Sequence, residues 1–284
     1  MFFNFYGLKS LISYCLQYIY FFDIKIIKMK ITFLGTGTSQ GIPVIGSKHP
    51  VCLSKNPKDK RLRSSVLIEI ENTKIVIDCG PDFRNQMLQT NPSHLDAILF
   101  THEHSDHTAG LDDIRPFYFR QEGDFQLYGH ERVFESLKQR YSYIFQTENK
   151  YPGAPSVAIN KVVNGRSFFI NNIEINPINV YHSNLQVFGF RISNFVYLTD
   201  VKTIEVDEVE KIKNADVLVV NALREEEHHS HFNLSEALEL IEKVKPKVAY
   251  LTHISHHLGF HDQVEKILPK NVFLAHDNLQ IKFK

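Results

Sequence analysis

The sequence predicts an α/β fold in which two mixed β-sheets pack together with helices on the outside. Three observations lead there. The chain has 284 residues, 43% of them hydrophobic, which is ample for one large core or two fused halves. Strand-rich meanders come first in each half, and strands alternating with helices follow them. No short-period repeat, low-complexity tract or interdomain linker breaks the chain.

Taken in order, "ITFLG" is a short apolar strand, followed by a Gly-rich loop from Gly35 to Gly41. "SVLIEIENTKIVIDCG" alternates on either side of Glu71-Asn72 and reads as a hairpin. "AILF", residues 97–100, is a buried strand that runs straight into "THEHSDHTAG". "ERVFESLKQRYSYIF" has helical spacing. A second strand-rich stretch holds "FFINNIEINPINVYH", "VFGFRI" and "FVYLTD". "ADVLVVNA" is a strand and "NLSEALELIEKV" a helix, with Asn233 at its N-cap, Glu236 three residues on and Pro246 beyond its end. "KVAYLTHIS" is the last buried strand of this series and ends in a histidine.

Charge is balanced at 32 basic and 32 acidic residues, which argues against a broad nucleic-acid-binding surface. Three scattered cysteines, Cys15, Cys52 and Cys79, cannot build a disulfide framework and point to a reducing, cytoplasmic setting. Residues 1–28 are aromatic and apolar, but Lys9, Gln17, Asp23 and Lys25 interrupt them before the roughly 18–20 apolar residues of a membrane span. Met29 opens "MKITFLGTGTSQG" like a domain start. We therefore read 1–28 as an N-terminal extension and 29–284 as the folded domain.

The chemistry concentrates in histidines and aspartates at strand ends. His102, His104, Asp106 and His107 lie within six residues directly after a buried strand. Imidazole and carboxylate together suit zinc, iron or manganese. His182, Asp200 and His253 end later strands. Five histidines and two aspartates exceed the roughly four ligands one tetrahedral metal needs, and suit two metals sharing a carboxylate. The Gly-rich loop lacks the Gly-Lys-Ser/Thr of a nucleotide phosphate loop, so its glycines are expected to allow close backbone approach near the metals. Arg61 and Arg63 in "KDKRLRSS" are candidates for phosphate contact, each with a solvated turn as the plainer alternative.

"THEHSDHTAG" resembles the H-x-H-x-D-H signature of the metallo-β-lactamase superfamily, and His182, Asp200 and His253 match its remaining ligand motifs in order. The resemblance implies a four-layer αββα sandwich with a dinuclear site at its edge. It implies that His102, His104 and His182 hold one metal, that Asp106, His107 and His253 hold the other, and that Asp200 bridges them. Asp rather than Cys at the bridge departs from antibiotic-hydrolysing members and favours phosphodiesterase or thioester-hydrolase branches. Asp78 in "VIDCG" matches the motif that supports a ligand histidine.

"FLGTGTSQGIP", "KDKRLRSS", "GLDDIR", "SHFNL" and "LTHISH" narrow the resemblance to the phosphoribosyl 1,2-cyclic phosphate phosphodiesterase subfamily, over Met29 to Lys284. It implies two divalent metals, zinc or manganese with iron also accepted, a small phosphodiester substrate and a homodimer. His231 of "SHFNL" would be the general acid and Asp106 would also orient the attacking water, while His228 and His229 are read as solvent-exposed neighbours. In place of the subfamily's GCxCxxC this chain has "GSKHPVC", with Ser47 and His49 replacing the first two cysteines. His49, Cys52 and His256 are the residues left for a separate structural zinc. Rival readings are a tRNA 3′-end endonuclease, whose clamping arm and basic exosite are not seen, a thioester or lactone hydrolase, and a non-catalytic metal-binding module.

Overall fold

A computed structural model describes residues 29–283, so the reading of 1–28 as an extension lies outside the described residues. In chain order the strands are β1 (Met29–Gly35), β2 (Ser65–Ile70), β3 (Thr73–Ile77), β4 (Ala97–Leu99), β5 (Phe125–Gly129), β6 (Val157–Lys161), β7 (Phe168–Ile170) and β8 (Ile173–His182). They continue as β9 (Leu185–Ile192), β10 (Phe195–Tyr197), β11 (Thr203–Ile204), β12 (Val217–Asn221), β13 (Val248–Thr252), β14 (Val272–Leu274) and β15 (Gln280–Phe283). One sheet has the order β15-β1-β2-β3-β4-β5-β6, the other β11-β8-β9-β10-β12-β13-β14, with β7 added on β8. Each is mixed: β3 through β6 are parallel, as are β10, β12, β13 and β14, while the meanders are antiparallel.

The layers follow from the period-2 alternation of side chains along a strand. Val66, Ile68 and Ile70 of β2 point one way, with Ile75 and Ile77 of β3 and Ala97 and Leu99 of β4. They meet Phe188, Phe190, Phe195, Tyr197, Val217 and Val219 of the other sheet in the central core. The residues between them, Leu67, Val76 and Ile98, turn outward onto Phe83, Met87, Phe134 and Leu137. Across the molecule, Val196, Leu218 and Val220 turn outward onto Ile212, Ala237, Leu240 and Val244. Both faces of each sheet are thus covered, which is why these strands read as continuous apolar runs. The result is the αββα sandwich expected from the sequence.

Local signals hold in detail. Leu234–Val244 is a helix whose Asn233 and Glu236 form a reciprocal capping box, and Lys245 ends it in the left-handed region. The hairpin turns at Glu71, also left-handed. The helical stretch 131–145 divides: Glu131–Arg140 is one helix and Ser142–Phe145 another turn. Tyr141 leaves helical geometry at the break, where its hydroxyl donates to Ala109 O at 2.7 Å. The glycine expectation for the 35–41 loop needs correction. A Cβ on Gly35 would stand 2.0 Å from Arg63 O, so its close approach is to the 61–63 segment, while Thr36 and Thr38 of the same loop pair with Ile254 beside His253.

Candidate metal centre

The candidate donors lie at the carboxyl ends of strands or in the segments that follow them. β4 delivers Thr101, His102 and the short helix Ser105–Thr108; β8 delivers His182, β10 Asp200 and β13 His253. Asp78 after β3, Asp200 and His253 all adopt left-handed backbone (φ 63°, 58° and 54°). Such strain in residues that are not glycine turns each side chain sharply off its strand and concentrates at functional sites. Gly80 allows the 102–108 loop to close down: a Cβ there would stand 2.0 Å from Asp106 O.

Donor accounting fixes three imidazoles. Asp78 Oδ2 accepts from His107 Nδ1 at 2.7 Å and from Thr101 Oγ1 at 2.8 Å, and Oδ1 accepts from Thr101 N at 2.9 Å. Having spent its proton on Asp78, the Thr101 hydroxyl accepts from His102 Nδ1 at 3.0 Å. His182 Nδ1 donates to Ser230 O at 2.8 Å. All three rings therefore carry a proton on Nδ1, which leaves Nε2 for a ligand. His102 Nε2 and His107 Nε2 are buried and have no hydrogen-bond partner. Orphans of this kind are rare in folded proteins and call for an occupant.

Carboxylates surround those orphans. His107 Nε2 lies 3.1 Å from Asp106 Oδ2 and 3.3 Å from Asp200 Oδ2 without hydrogen-bond geometry to either. Burial disfavours charge on His107, but Asp106, Asp200 and Asp78 outweigh it and hold its pKa well above the ordinary value. Burial also works against ionised Asp200, yet His253 and His107 hold it well below the usual carboxylate range. Asp106 is likewise held low, by His107 against burial. His102, without such a carboxylate contact, is pushed well below the ordinary histidine value by burial. The donor set thus joins imidazole nitrogens to ionised aspartates, which suits a hard or borderline divalent cation that takes the place of the Nε2 proton these carboxylates favour on His107.

Three groups of donor atoms converge, each within 4.8 Å: His102, His107 and Asp200; Asp106, His107 and His253; His182, Asp200 and His231. His107 and Asp200 belong to two groups each. His104 is exposed and outside all three, though its ring lies 4.5 Å from that of His102 and 5.3 Å from that of His182. His253 presents Nδ1 to Asp200 Oδ2 at 3.3 Å while its Nε2 meets Thr38 Oγ1 at 3.2 Å. His231 enters the cluster directly, with Nε2 3.0 Å from Asp200 Oδ1.

Other expectations change. Arg61 is turned into the fold. It is buried at 3% exposure, and its guanidinium donates to Thr36 Oγ1 (2.7 Å) and Ala275 O (2.5 Å) and meets His261 Nδ1 (3.1 Å). Arg63 pairs with Asp82 at 3.1 Å and donates from Nε to Ser39 O. His49 and His256 come together, ring centroids 4.9 Å apart, with His257 against both. Cys52 packs instead with Ile42 and Val51, and its sulfur accepts from Val44 N. Among the described residues, these three donors do not form a converging group. His228 is half-buried rather than exposed, while His229 is exposed.

The partners missed in the sequence are Thr38, Thr101, Thr199 and Ser230. A signal existed: threonine directly precedes a candidate ligand at three strand ends, in Thr101-His102, Thr199-Asp200 and Thr252-His253. The Thr199 hydroxyl donates to Asp200 Oδ2 at 2.6 Å, repeating what Thr101 does for Asp78.

A family model described as a beta-lactamase superfamily domain matches residues 73–254. The chain is 37% identical over 254 residues to an octanoyltransferase of Porphyromonas gingivalis, covering 89% of this chain and 51% of that one. It is 27% identical over 168 residues to ribonuclease Z of Bacillus subtilis, covering 58% and 48%. It thus spans about half the length of these two relatives. The crystal structure of a diphosphatase from the PhnP family superposes with a TM-score of 0.85 at 35% identity, over 91% of this chain and 98% of that one. Among the described residues no helix is long and apolar enough to cross a membrane.

Proposed function

The chain belongs to the β-lactamase superfamily, and from that premise we propose that it is a divalent-metal-dependent hydrolase of a small phosphodiester or diphosphate ester, a cyclic sugar phosphodiester being the form the sequence motifs favour. The observation that carries this reading is the pair of buried, partnerless Nε2 atoms of His102 and His107, that of His107 lying beside the ionised Asp106 and Asp200. We assign His102, His104 and His182 to one cation, Asp106, His107 and His253 to a second, and Asp200 to both. Bound there, divalent cations would neutralise charge growing on phosphate and activate water.

The chain's own residues supply orientation and protons. Asp78, Thr101 and Ser230 lock the three imidazoles in one tautomer. Asp106, held ionised, is an acceptor only and takes a hydrogen bond from the attacking water. His231 Nε2, at the rim of the cluster with 11% side-chain exposure, donates a proton to the departing oxygen. Support for phosphorus as the centre attacked comes from similarity to the PhnP-family diphosphatase and to ribonuclease Z. Similarity to an octanoyltransferase favours a second reading, hydrolysis of a medium-chain thioester at the same site.

The test strips the protein of metal and restores Mn²⁺ or Zn²⁺. Turnover is then compared on bis(p-nitrophenyl) phosphate, a diphosphate-bridged ester and an octanoyl thioester. The proposal expects metal-dependent cleavage of a phosphorus substrate. Thioester cleavage without any phosphorus turnover would replace it with the second reading. His231→Ala should slow a phenyl phosphodiester by about 100-fold or more but a p-nitrophenyl ester far less, because general acids contribute roughly 10²–10⁴-fold and activated leaving groups need them least. Equal losses on both esters would remove the acid role.

A further inference from the structure

We infer that His228, outside every ligand set considered above, is a positioning residue that fixes His231 for proton donation. This rests on the reading of His231 as the general acid. His228 Nδ1 receives the backbone N–H of Ser230 at 3.3 Å. A backbone amide can only donate, so His228 Nδ1 presents a lone pair. His231 Nδ1 stands 3.2 Å from that same nitrogen and 3.1 Å from Ser230 Oγ. Ser230 Oγ, 3.2 Å from His228 Nδ1 as well, is a hydroxyl that can donate or accept, so it is the lone pair on His228 that places the hydrogen of His231 on Nδ1. Its Nε2 then lies on the opposite edge, towards Asp200 and the ligand histidines.

The consequence is a division of labour between the two ring nitrogens. The Nδ1–H stays with His228 and Ser230 throughout. The Nε2–H is the proton given to the departing oxygen; the N–H bonding pair remains on Nε2, and the proton is later replaced from solvent water. After donation His231 is neutral in the Nδ1–H tautomer, which His228 already holds. Without the His228 lone pair, only the Ser230 hydroxyl, which donates as readily as it accepts, faces Nδ1, and the ring can change tautomer or turn its other nitrogen forward. Ser230 couples this arm to the ligands, because its carbonyl accepts from His182 Nδ1 while its amide and hydroxyl serve His228 and His231. His228 thereby does for the acid what Asp78 does for His107.

The experiment uses the metal-loaded full chain and three variants, His228→Leu, His228→Asn and His231→Ala. Leucine removes the acceptor at similar size. Asparagine restores an acceptor oxygen near the Nδ1 position. Turnover of a phenyl and a p-nitrophenyl phosphodiester is compared, with metal content and thermal midpoint measured on each protein. The inference expects His228→Leu to lose about 10-fold on the phenyl ester and little on the nitrophenyl ester, a loss within the range set by general acids. It expects His228→Asn to recover most of that loss, with bound metal unchanged in both. Equal loss on the two esters, loss of metal, or failure of asparagine to rescue would overturn it. If His231→Ala shows no dependence on leaving group, the acid assignment itself falls, and that failure is separate from a selective failure at His228.

Discussion

Replacing Asp78 by asparagine isolates what a single buried carboxylate contributes to the metal centre. The side chain is fully buried and takes three donors, Thr101 N, Thr101 Oγ1 and His107 Nδ1, at 2.9, 2.8 and 2.7 Å. Asparagine has nearly the same shape and tolerates the left-handed backbone of this position. Its amide, however, can offer an oxygen to only one side. With oxygen towards Thr101 N, the amide N–H groups face His107 Nδ1–H; in the other orientation they face Thr101 N–H. Either choice sets one N–H against another, and a buried donor left unpaired costs about 1–3 kcal/mol.

His107 can escape by moving its proton to Nε2, but that removes the lone pair intended for the cation. Metal affinity should therefore fall by roughly 10–100-fold, the range typical when such an outer partner is lost and equal to about 1.4–2.7 kcal/mol. Competition with a fluorescent chelator measures the affinity, and thermal unfolding of the metal-free proteins measures the fold separately. An Asn variant that binds metal within about twofold of the parent would refute the assignment of Asp78 as the group that sets His107.

Two further outcomes follow from the same geometry. Gly80→Ala places a methyl 2.0 Å from Asp106 O. It should displace the 102–108 loop, lower the thermal midpoint and weaken metal binding, with overpacking of this kind costing about 1–3 kcal/mol or more; an alanine variant with unchanged metal titration would show that the loop accommodates it. Asp277 is half-buried, and desolvation raises its pKa to about 6 against the hydrogen bonds from Leu62 N and Thr36 and the charge of Arg61. Its folded pKa exceeds the value of about 4 in an unfolded chain, so its contribution is full below pH 4 and is lost as pH rises through about 6. Urea denaturation from pH 4 to 7 should show Asp277→Asn gaining on the parent by up to about 3 kcal/mol across that window, and a flat difference would reject the shift.

How much of this was legible in the sequence depended on how local the cause was. Period-2 alternation in "SVLIEI" and "KIVI" determined which residues share a face, and the layers follow from it. The capping box at Asn233 and Glu236 was visible because it spans four residues. The donors of the centre were visible because imidazoles and carboxylates are costly at the ends of buried strands unless something uses them. The side chains whose destination is set by distant segments were not visible. Arg61 reads as a solvated turn residue or a phosphate contact, yet its partners Ala275 and His261 lie 214 and 200 residues away and bury it. Cys52 kept its place in the chain, but its sulfur turned into the cluster of Ile42 and Val51. His228 read as a solvated neighbour until the loop folded back and set its Nδ1 against His231.

By itself, then, the sequence determined the sandwich, the strand ends that carry donors and the donor types. The tertiary structure decided which donors converge, which nitrogen of His102, His107 and His182 faces inward, and which charged side chains are spent inside the fold. The physical reason is one of range. Propensity, periodicity and capping act over a few residues, whereas tautomer, burial and pairing are settled by groups that only folding brings within 3 Å or so.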